Sequence, residues 1–517
     1  MNFKRKLWWV QHRADVYKYS TFILLFLIVT ISIIYFTYSK FSSSNEMTMY
    51  ETTVEPFIKN DYFIASYIDG EWSNEIPGKN DGYIIDKIVC DNGAVGTWDY
   101  NDWEIRISNA TKKTKCSLFF ATGTLIDVEL YQGLIPVTYN SSGDVVVADT
   151  NTKWYDYSNH EWANAVLVNC ADSAIKSKYF DSNNKVLASA VGKTISMDEI
   201  MQMYVYIPRY KYQLFNAEDG TSVEQAINIT FESKTTAKST GTKNGEWLTH
   251  PAFTFGDKEL AGIWVGKFET SNTKELPKIV PNVNSLRNLT VSEGFNTSRL
   301  MTTTLASTYG TSTNDDSHMM KSIEWGAIAY LTNSIYGRYT NTSICIDSGC
   351  EIWINNNSSY TTGCAGSSVS ASEESTCNAW NTATGVNAST TGNIYGIYDM
   401  SGGSSEYVMG NYNDTISSAG FSSMPEAKYY DKYTGTSSES DFTKYHLGDA
   451  TKETIKTKSM GNNVWYQDVS YFVNLSESWV ARGGNCYNNT YAGVFSFDGE
   501  DGSSIGYHSF RVVFGAL

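Results

Sequence analysis

The sequence predicts an α+β protein with three parts: an N-terminal transmembrane helix, a small all-β sandwich module and a large C-terminal domain rich in loops. Three patterns support this: an uncharged apolar run at 20–38, short alternating runs separated by Asn-Gly and Asn/Asp turns at 56–122, and mixed strand and helix patterns beyond residue 200. The predicted parts are a basic tail at 1–18, a membrane anchor at 19–38, a linker at 39–55, the β-sandwich stalk module at 56–122, a connecting region at 123–199 and the C-terminal domain at 200–517.

The N-terminal apolar run has the length and the flanking charge of a signal anchor. Its nineteen residues match the roughly 20 helical residues that cross a bilayer, and the tail before it holds five basic residues and one acidic residue. Because basic flanks stay in the cytoplasm, the pattern predicts a single-pass protein of the cell membrane with a cytoplasmic N-terminus and an extracellular C-terminal domain. A cleaved signal peptide and a type IV pilin leader are the alternatives, but the run lacks a small-residue cleavage site and the pilin Gly and Glu.

The composition favours a β-rich extracellular protein and argues against a nucleic-acid partner. The formal net charge is −16, so the chain beyond the +4 tail carries −16 − 4 = −20, with no stripe of Lys and Arg to neutralise phosphates. Tyrosine is abundant at 36 residues and proline is scarce at 8, which is typical of ordered loops in a folded chain. The sequence leaves the oligomeric state open.

The eight cysteines predict disulfides and no metal site. They contain no Cys-x-x-Cys pair and the six histidines lie far apart, which makes a zinc site improbable. Cys90 and Cys116 each lie in a strand-like run, so they are candidates for a disulfide or for two buried thiols. Two disulfide bonds could form within one Ser/Gly/Asn-rich insertion, whose four cysteines are Cys345, Cys350, Cys364 and Cys377. The sequence leaves their pairing open.

Four separated segments of the C-terminal part have distinctive patterns. A strand-like run covers 260–272, a helix with apolar residues along one face covers 319–331, a Gly- and Tyr-rich segment covers 393–408, and 479–514 joins an Arg-Gly-Gly turn to two strand-like runs. A fifth segment, 195–203, predicts a short helix, because Ser196 and Glu199 have the spacing of a capping box.

The four segments, in this order, resemble the formylglycine-generating-enzyme (sulfatase-modifying-factor) family, a variant of the C-type-lectin fold. The resemblance covers roughly residues 200–517 and implies a large C-type-lectin-like domain. It also implies a structural frame, called here the frame residues, at Arg482, Gly483, Gly484, Phe510, Arg511, Asp399, Gly402 and Glu406.

The catalytic chemistry of that family is not matched. Family members that make formylglycine hold copper(I) with two cysteines five residues apart, and such soft ligands suit that ion. Here the corresponding positions are Asn488 and Gly493, while Cys486 lies two residues before the first. Gly403 and Ser405 replace a family Asn and Trp, and the lost Asn leaves a structural calcium site unsupported. We therefore expect no catalytic residue, no metal site, no cofactor and no enzymatic activity.

The loops at 485–508 have the composition of a variable binding surface. Of the five residue types Lys, Glu, Gln, Met and Trp, the segment contains only one residue, Glu500. This composition resembles the variable proteins of diversity-generating retroelements, in which adenine-directed mutagenesis cannot create those five types. Tyrosine gives contact area while Ser, Asn and Gly adapt their hydrogen bonds, and the acidic residues favour a cationic or polar partner. The predicted ligand-binding residues are Asn485, Tyr487, Asn488, Asn489, Tyr491, Ser496, Asp498, Asp501, Ser503, Ser504, Tyr507 and His508.

The sequence thus predicts a membrane-anchored bacterial surface protein, a diversified receptor or adhesin that binds an extracellular protein or glycan through variable loops. The alternatives are a formylglycine-generating-type copper oxidase that acts on a protein cysteine and a structural, pilus-like surface protein. The missing cysteine pair disfavours the first, and the missing pilin pattern disfavours the second.

Overall fold

The computed structural model describes residues 59–68, 71–72, 83–99, 104–111, 114–122, 126, 128–218, 220–339, 350–438 and 441–516. The chain divides into two compact units, Met1–Asn60 and Asp61–Leu517. Almost all of the described residues belong to the second unit, and the fold below is that of the second unit.

The strands are, in chain order, β1 (Lys59–Ile68), β2 (Glu71–Trp72), β3 (Tyr83–Cys90), β4 (Val95–Asp99), β5 (Glu104–Ser108), β6 (Lys115–Thr122), β7 (Ile135–Tyr139), β8 (Val145–Val147), β9 (Asn164–Val168), β10 (Ile200–Pro208), β11 (Tyr210–Gln213), β12 (Ile229–Phe231), β13 (Trp247–Thr249), β14 (Thr254–Phe255), β15 (Lys258–Glu259), β16 (Gly262–Gly266), β17 (Ser271–Thr273), β18 (Leu276–Lys278), β19 (Asp315–Met319), β20 (Cys364–Ala365), β21 (Asn378–Ala379), β22 (Ser405–Tyr412), β23 (Asp431–Tyr433), β24 (Trp479–Gly483), β25 (Gly493–Glu500), β26 (His508–Phe510) and β27 (Val512–Ala516). The α-helices are α1 (Ser173–Tyr179), α2 (Val291–Arg299), α3 (Ala306–Tyr309) and α4 (Ser322–Thr332).

The predicted fold class and the predicted membrane location both need correction. The described chain is rich in sheet and has few helices, and none of those helices has the length and apolar character needed to cross a bilayer. The longest of them, α4, has eleven residues. At about 1.5 Å per residue it covers only about half of the ~30 Å hydrocarbon core. The anchor predicted at 19–38 lies outside the described residues, so the single-pass location rests on nothing in this structure.

The first part of the unit is built from antiparallel strands. β3 pairs with β6 in a four-stranded sheet of order β2-β1-β6-β3, and β4 pairs with β5 in a hairpin. Cys90 and Cys116 lie opposite each other on β3 and β6 and are joined by a disulfide with an S–S distance of 2.02 Å. In the later insertion Cys364 is bonded to Cys377, and Cys350 is also disulfide-bonded.

A seven-stranded antiparallel sheet of order β19-β27-β16-β10-β9-β7-β8 forms the larger of the two main sheets. Its middle strand β10 is buried at all nine positions and pairs with β9 and β16. The strand begins at Ile200, so the helix predicted at 195–203 is wrong. Near Ser196 the chain makes only a turn, in which the Glu199 N–H donates to Ser196 O at 3.0 Å.

The second main sheet has five strands and carries the C-terminal loops. Its order is β23-β22-β24-β25, and β26 pairs in parallel with β22. The helix predicted at 319–331 is confirmed as α4, although it is buried on every side and not amphipathic. Trp325 of this helix donates its Nε1–H to Val494 O of β25 at 2.7 Å. This contact ties the helix to the strand between the two loops.

Candidate ligand-binding surface of the C-terminal loops

Two loops connect the last strands: 484–492 between β24 and β25, and 501–507 between β25 and β26; we call them the terminal loops. Gly483, the last residue of β24, and Gly484, the first of the loop, have φ of 82° and 66°, values that favour glycine. A Cβ on Gly484 would lie 2.9 Å from the Ala492 Cα, because the loop closes tightly on itself. The Arg-Gly-Gly turn therefore sets the direction in which the first loop leaves the sheet.

Arg482 anchors the start of the loops from inside the protein. Its buried guanidinium donates from Nη2 to Ala450 O at 3.1 Å and lies 5.7 Å from the ring centres of Trp325 and Phe497. Burial lowers the pKa of Arg482 to about 10, and nearby Asp449 opposes that effect. The side chain supports the sheet and offers no contact to a ligand.

Arg511 and Glu406 form a buried ion pair behind the loops. Arg511 Nε donates to Glu406 Oε2 at 3.0 Å, and its Nη2 donates to Glu406 Oε1 and, at 3.0 Å, to Tyr398 O. Burial raises the pKa of Glu406 to about 7, while Arg511 acts in the opposite direction. Arg511 Nη1 also donates to Gly266 O at 2.8 Å, which links the two main sheets.

The remaining frame residues also lie in the interior. Asp399, at φ 62°, accepts from the Gly363 N–H at 2.8 Å and from Asn355 Nδ2 at 2.9 Å. Gly402, at φ 72°, packs so closely on Asn355 that an added Cβ would overlap its carbonyl group. Phe510 is buried on β26. The structure thus brings all eight frame residues together as support for the loops.

Three tyrosines of the terminal loops face solvent. Tyr487 is 48% exposed, Tyr491 44% and Tyr507 39%, which is high for large aromatic side chains. Two of the asparagines shape the loop: Asn488 Oδ1 accepts from the Asn485 N–H at 2.6 Å, and Asn485 Oδ1 accepts from the Tyr487 N–H at 3.0 Å. The side chains of Asn485 and Asn488 therefore help to fix the backbone of the first loop around Tyr487.

Other predicted contact residues lie deeper. Ser496 and His508 are buried, and His508 packs against the ring of Tyr407 with 4.4 Å between ring centres. Burial lowers the pKa of His508 to about 3. Neither side chain lies on the accessible surface. Asn489 is half-buried at φ 50°, with a buried Oδ1 that accepts no hydrogen bond within the described residues.

Three acidic side chains at the end of β25 and the start of the second loop are half-buried and interact electrostatically: Asp498, Glu500 and Asp501. Burial is the largest cause that raises the pKa of Asp498 to about 7, and the nearby charge of Glu477 adds to it. Burial also raises the pKa of Glu500 to about 8, with a further contribution from the charges of Asp498 and Asp501. Asp501 Oδ1 accepts from the Ser503 N–H at 2.9 Å, while Ser504 is exposed. This part of the surface therefore carries less negative charge at neutral pH than its sequence suggests.

The sequence did not reveal two residues that pack against this surface, Arg287 and the buried Tyr360. The Arg287 guanidinium lies 3.8 Å from the ring centre of Tyr360, and that ring lies 6.0 Å from the ring of Tyr487. Arg287 Nη1 also donates to Gly506 O, which joins this stack to the second loop. More than 100 residues separate these side chains from the loops, so no local pattern could reveal the contact.

The positions that match the copper cysteines of the resembled family do not fit a metal site. Asn488 uses its side-chain oxygen within the loop, and a Cβ on Gly493 would overlap the buried carboxylate of Asp468. That carboxylate accepts from the Phe495 N–H at 2.9 Å, and burial raises its pKa to about 8. Cys486 is buried, which raises the pKa of its thiol to about 11. In the described part of the chain no three His, Cys, Asp or Glu residues group closely enough to hold a metal ion.

No protein-family model matches this chain, and no curated protein matches it. The likeness to the sulfatase-modifying-factor family and to retroelement variable proteins therefore stays a prediction from the sequence.

Proposed function

We propose that this protein is a non-catalytic binding protein whose terminal loops form the ligand-contact surface. The contact residues are the exposed Tyr487, Tyr491 and Tyr507, with Ser504 beside them. The ligand is an external protein or glycan, and variation within the loops selects which one.

One observation carries the proposal: three exposed tyrosines lie within 21 residues, on loops anchored by buried residues at both ends. Exposed tyrosine combines a large contact area with low loss of side-chain entropy, which suits a binding surface. Rigid support reduces the entropy lost on binding, because the loops are already ordered in the free protein. The crowding at Gly493 supports a role without the copper chemistry of the resembled family.

The direct test is a binding screen of the purified full-length chain against arrays of glycans and surface proteins. Each ligand found is then titrated with Tyr487→Ala and Tyr507→Ala. We expect at least one of these substitutions to weaken binding about tenfold or more, as truncation of central aromatic contacts does in other interfaces.

Tyr471→Ala is the matched control, because Tyr471 is 41% exposed and lies outside the terminal loops. It is expected to leave the affinity unchanged. Ligands whose affinity changes in neither loop variant would contradict the proposal. Stoichiometric copper binding together with oxidation of a peptide cysteine would replace it with the oxidase alternative.

The proposed diversification has a separate genetic test, which is deep sequencing of the DNA that encodes residues 485–508 across a population. We expect substitutions confined to adenine positions, with a near-identical template copy and a reverse transcriptase nearby. Substitutions should be broadest at exposed Tyr487, Tyr491, Ser504 and Tyr507 and narrowest at buried Cys486. An invariant segment without a template would refute diversification and leave ligand binding to be tested alone.

A further inference from the structure

A groove adjoins the terminal loops and belongs to none of the sequence motifs. It has a volume of about 650 Å³ and is lined by residues of the β17–β18 hairpin and of 280–288. The Asn288 N–H donates to Ile505 O at 3.3 Å, and Arg287 Nη1 donates to Gly506 O. A ligand in this groove would therefore lie beside the loop that presents Tyr507.

The charge of the groove is opposite to that of the protein. Its ionisable lining residues are Lys278 and Arg287, in a chain with a formal net charge of −16. Among the described residues, neither of these two cations forms an ion pair. Two unpaired cations in one concave site attract an anion and repel other cations.

Arg287 is held in place before any ligand binds. Its guanidinium stacks on Tyr360 at 3.8 Å, and its Nε is buried without a hydrogen-bond partner in the described part of the chain. A guanidinium held in one orientation suits a carboxylate or sulfate, since hydrogen bonds between oppositely charged groups are the strong ones.

The uncharged lining residues indicate what carries the anion. The side chains of Asn284 and Asn288 are exposed and form no hydrogen bond within the described residues, so their amides are available to a ligand. Val283 and Leu286 add small apolar contacts. Adaptable amides beside limited apolar surface suit a compact molecule with many hydroxyl groups, and the volume lies within the ~300–1,000 Å³ of small-molecule sites.

An acidic peptide fits the groove less well. Peptides that bind in extended form add to an open strand edge, and Ser271 of β17 is already bridged to Ser285. We propose that the groove binds a sugar that carries an anionic group, a carboxylate or a sulfate, as one part of the ligand. The anion lies at Lys278 and Arg287 and the hydroxyl groups lie at Asn284 and Asn288. This inference rests on the proposed function of the adjoining loops.

The test is calorimetric titration of the full-length chain with four probes: a galacturonic acid oligomer, a sulfated galactose oligomer, the uncharged galactose oligomer and an oligoglutamate peptide. We expect at least one anionic sugar to bind about tenfold or more tightly than its neutral counterpart. Binding should weaken as salt is added, because ions screen charges at an open site. Equal binding of the neutral sugar, binding of oligoglutamate alone, or no sugar binding would overturn the inference.

Lys278→Gln and Arg287→Gln test whether the sugar binds in the groove. Each substitution is expected to lower the affinity for the anionic sugar about tenfold or more. Two variants are used because Arg287→Gln also removes the contact to Gly506. Lys193→Gln is the control, since Lys193 lines a different cavity of about 510 Å³ that also contains Glu199. Sugar binding that both groove variants leave unchanged would place the site elsewhere and overturn the inference.

The groove inference and the proposed function of the terminal loops can be refuted separately. If Tyr487→Ala or Tyr507→Ala weakens every ligand from the screen while the groove variants bind each of them normally, the proposed function stands and the groove inference falls. If Lys278→Gln weakens the anionic sugar while the loop variants bind every ligand normally, the groove stands and the loops are not the contact surface.

Discussion

At the scale of single residues, His318 is the clearest source of pH-dependent stability. It is buried on β19, with Nδ1 2.6 Å from Asp316 Oδ1 and Nε2 3.0 Å from Glu324 Oε1. Burial alone would lower the pKa of His318, but the two carboxylates outweigh burial and raise it to about 9. The protonated imidazole thus bridges β19 to the first turn of α4.

The raised pKa predicts how stability changes above neutral pH. In the unfolded chain the histidine has a pKa of about 6.5, so its stabilising effect is complete below that pH and is lost as the pH rises through about 9. The loss amounts to about 3 kcal/mol, since one pKa unit corresponds to about 1.4 kcal/mol. Denaturant unfolding between pH 6 and pH 10 measures it.

His318→Gln tests the assignment, because glutamine keeps a polar side chain and does not titrate. We expect this variant to be destabilised at pH 6 and to lose the part of the pH slope that His318 provides. The exposed His446 is the control, and His446→Gln should keep the full slope. An unchanged slope in the His318 variant would show that other groups cause it.

At the scale of elements, the Arg511–Glu406 pair joins the two main sheets, because it connects β22 to the carbonyl of Gly266 on β16. Removal of one partner leaves an unpaired charge in the interior. We expect Arg511→Met to lower the free energy of unfolding by about 3–5 kcal/mol. Chemical denaturation of the two proteins gives the value.

The double variant Arg511→Met/Glu406→Leu separates charge from packing. It removes both charges, so it should be more stable than Arg511→Met alone. If the double variant is no more stable than the single one, the effect of Arg511 comes from its hydrogen bonds to Gly266 and Tyr398 and not from its charge.

The elements also show what the sequence could predict. The pattern at 319–331 was sufficient for α4, because apolar residues recur at helical spacing and no proline interrupts them. The capping-box spacing of Ser196 and Glu199 failed, because burial of β10 between β9 and β16 outweighs a local preference for helix. Patterns of adjacent residues report local preference, whereas pairing in a sheet depends on distant strands.

Part of the candidate surface could likewise be predicted from the sequence, and part could not. Tyr487, Tyr491 and Tyr507 were predictable, because glycine- and asparagine-rich loops between strand-like runs are exposed. Arg287 and Tyr360 were not, because only the folded chain brings them to the loops. The burial of His508 was also hidden, since its position at the start of β26 makes it part of the sheet.

At the scale of the whole molecule, the last two strands complete both main sheets. β26 pairs with β22 in the five-stranded sheet, and β27 lies between β19 and β16 in the seven-stranded sheet. The second terminal loop comes just before β26, and the first comes just before β25. Loop variation is therefore compatible with folding only while the strands on either side keep their pairing.

This arrangement predicts a sharp difference between two truncations. Deletion of residues 508–517 removes β26 and β27 and exposes the edges of β16 and β19, and such unpaired edges favour aggregation. We expect that chain to lose cooperative thermal unfolding and to be cleaved rapidly in limited proteolysis. A chain that lacks only Leu517 keeps both strands and should unfold as the full-length chain does. If the longer deletion still melts cooperatively at the same temperature, the C-terminal strands do not close the fold, and the loops lack the rigid support on which the binding proposal depends.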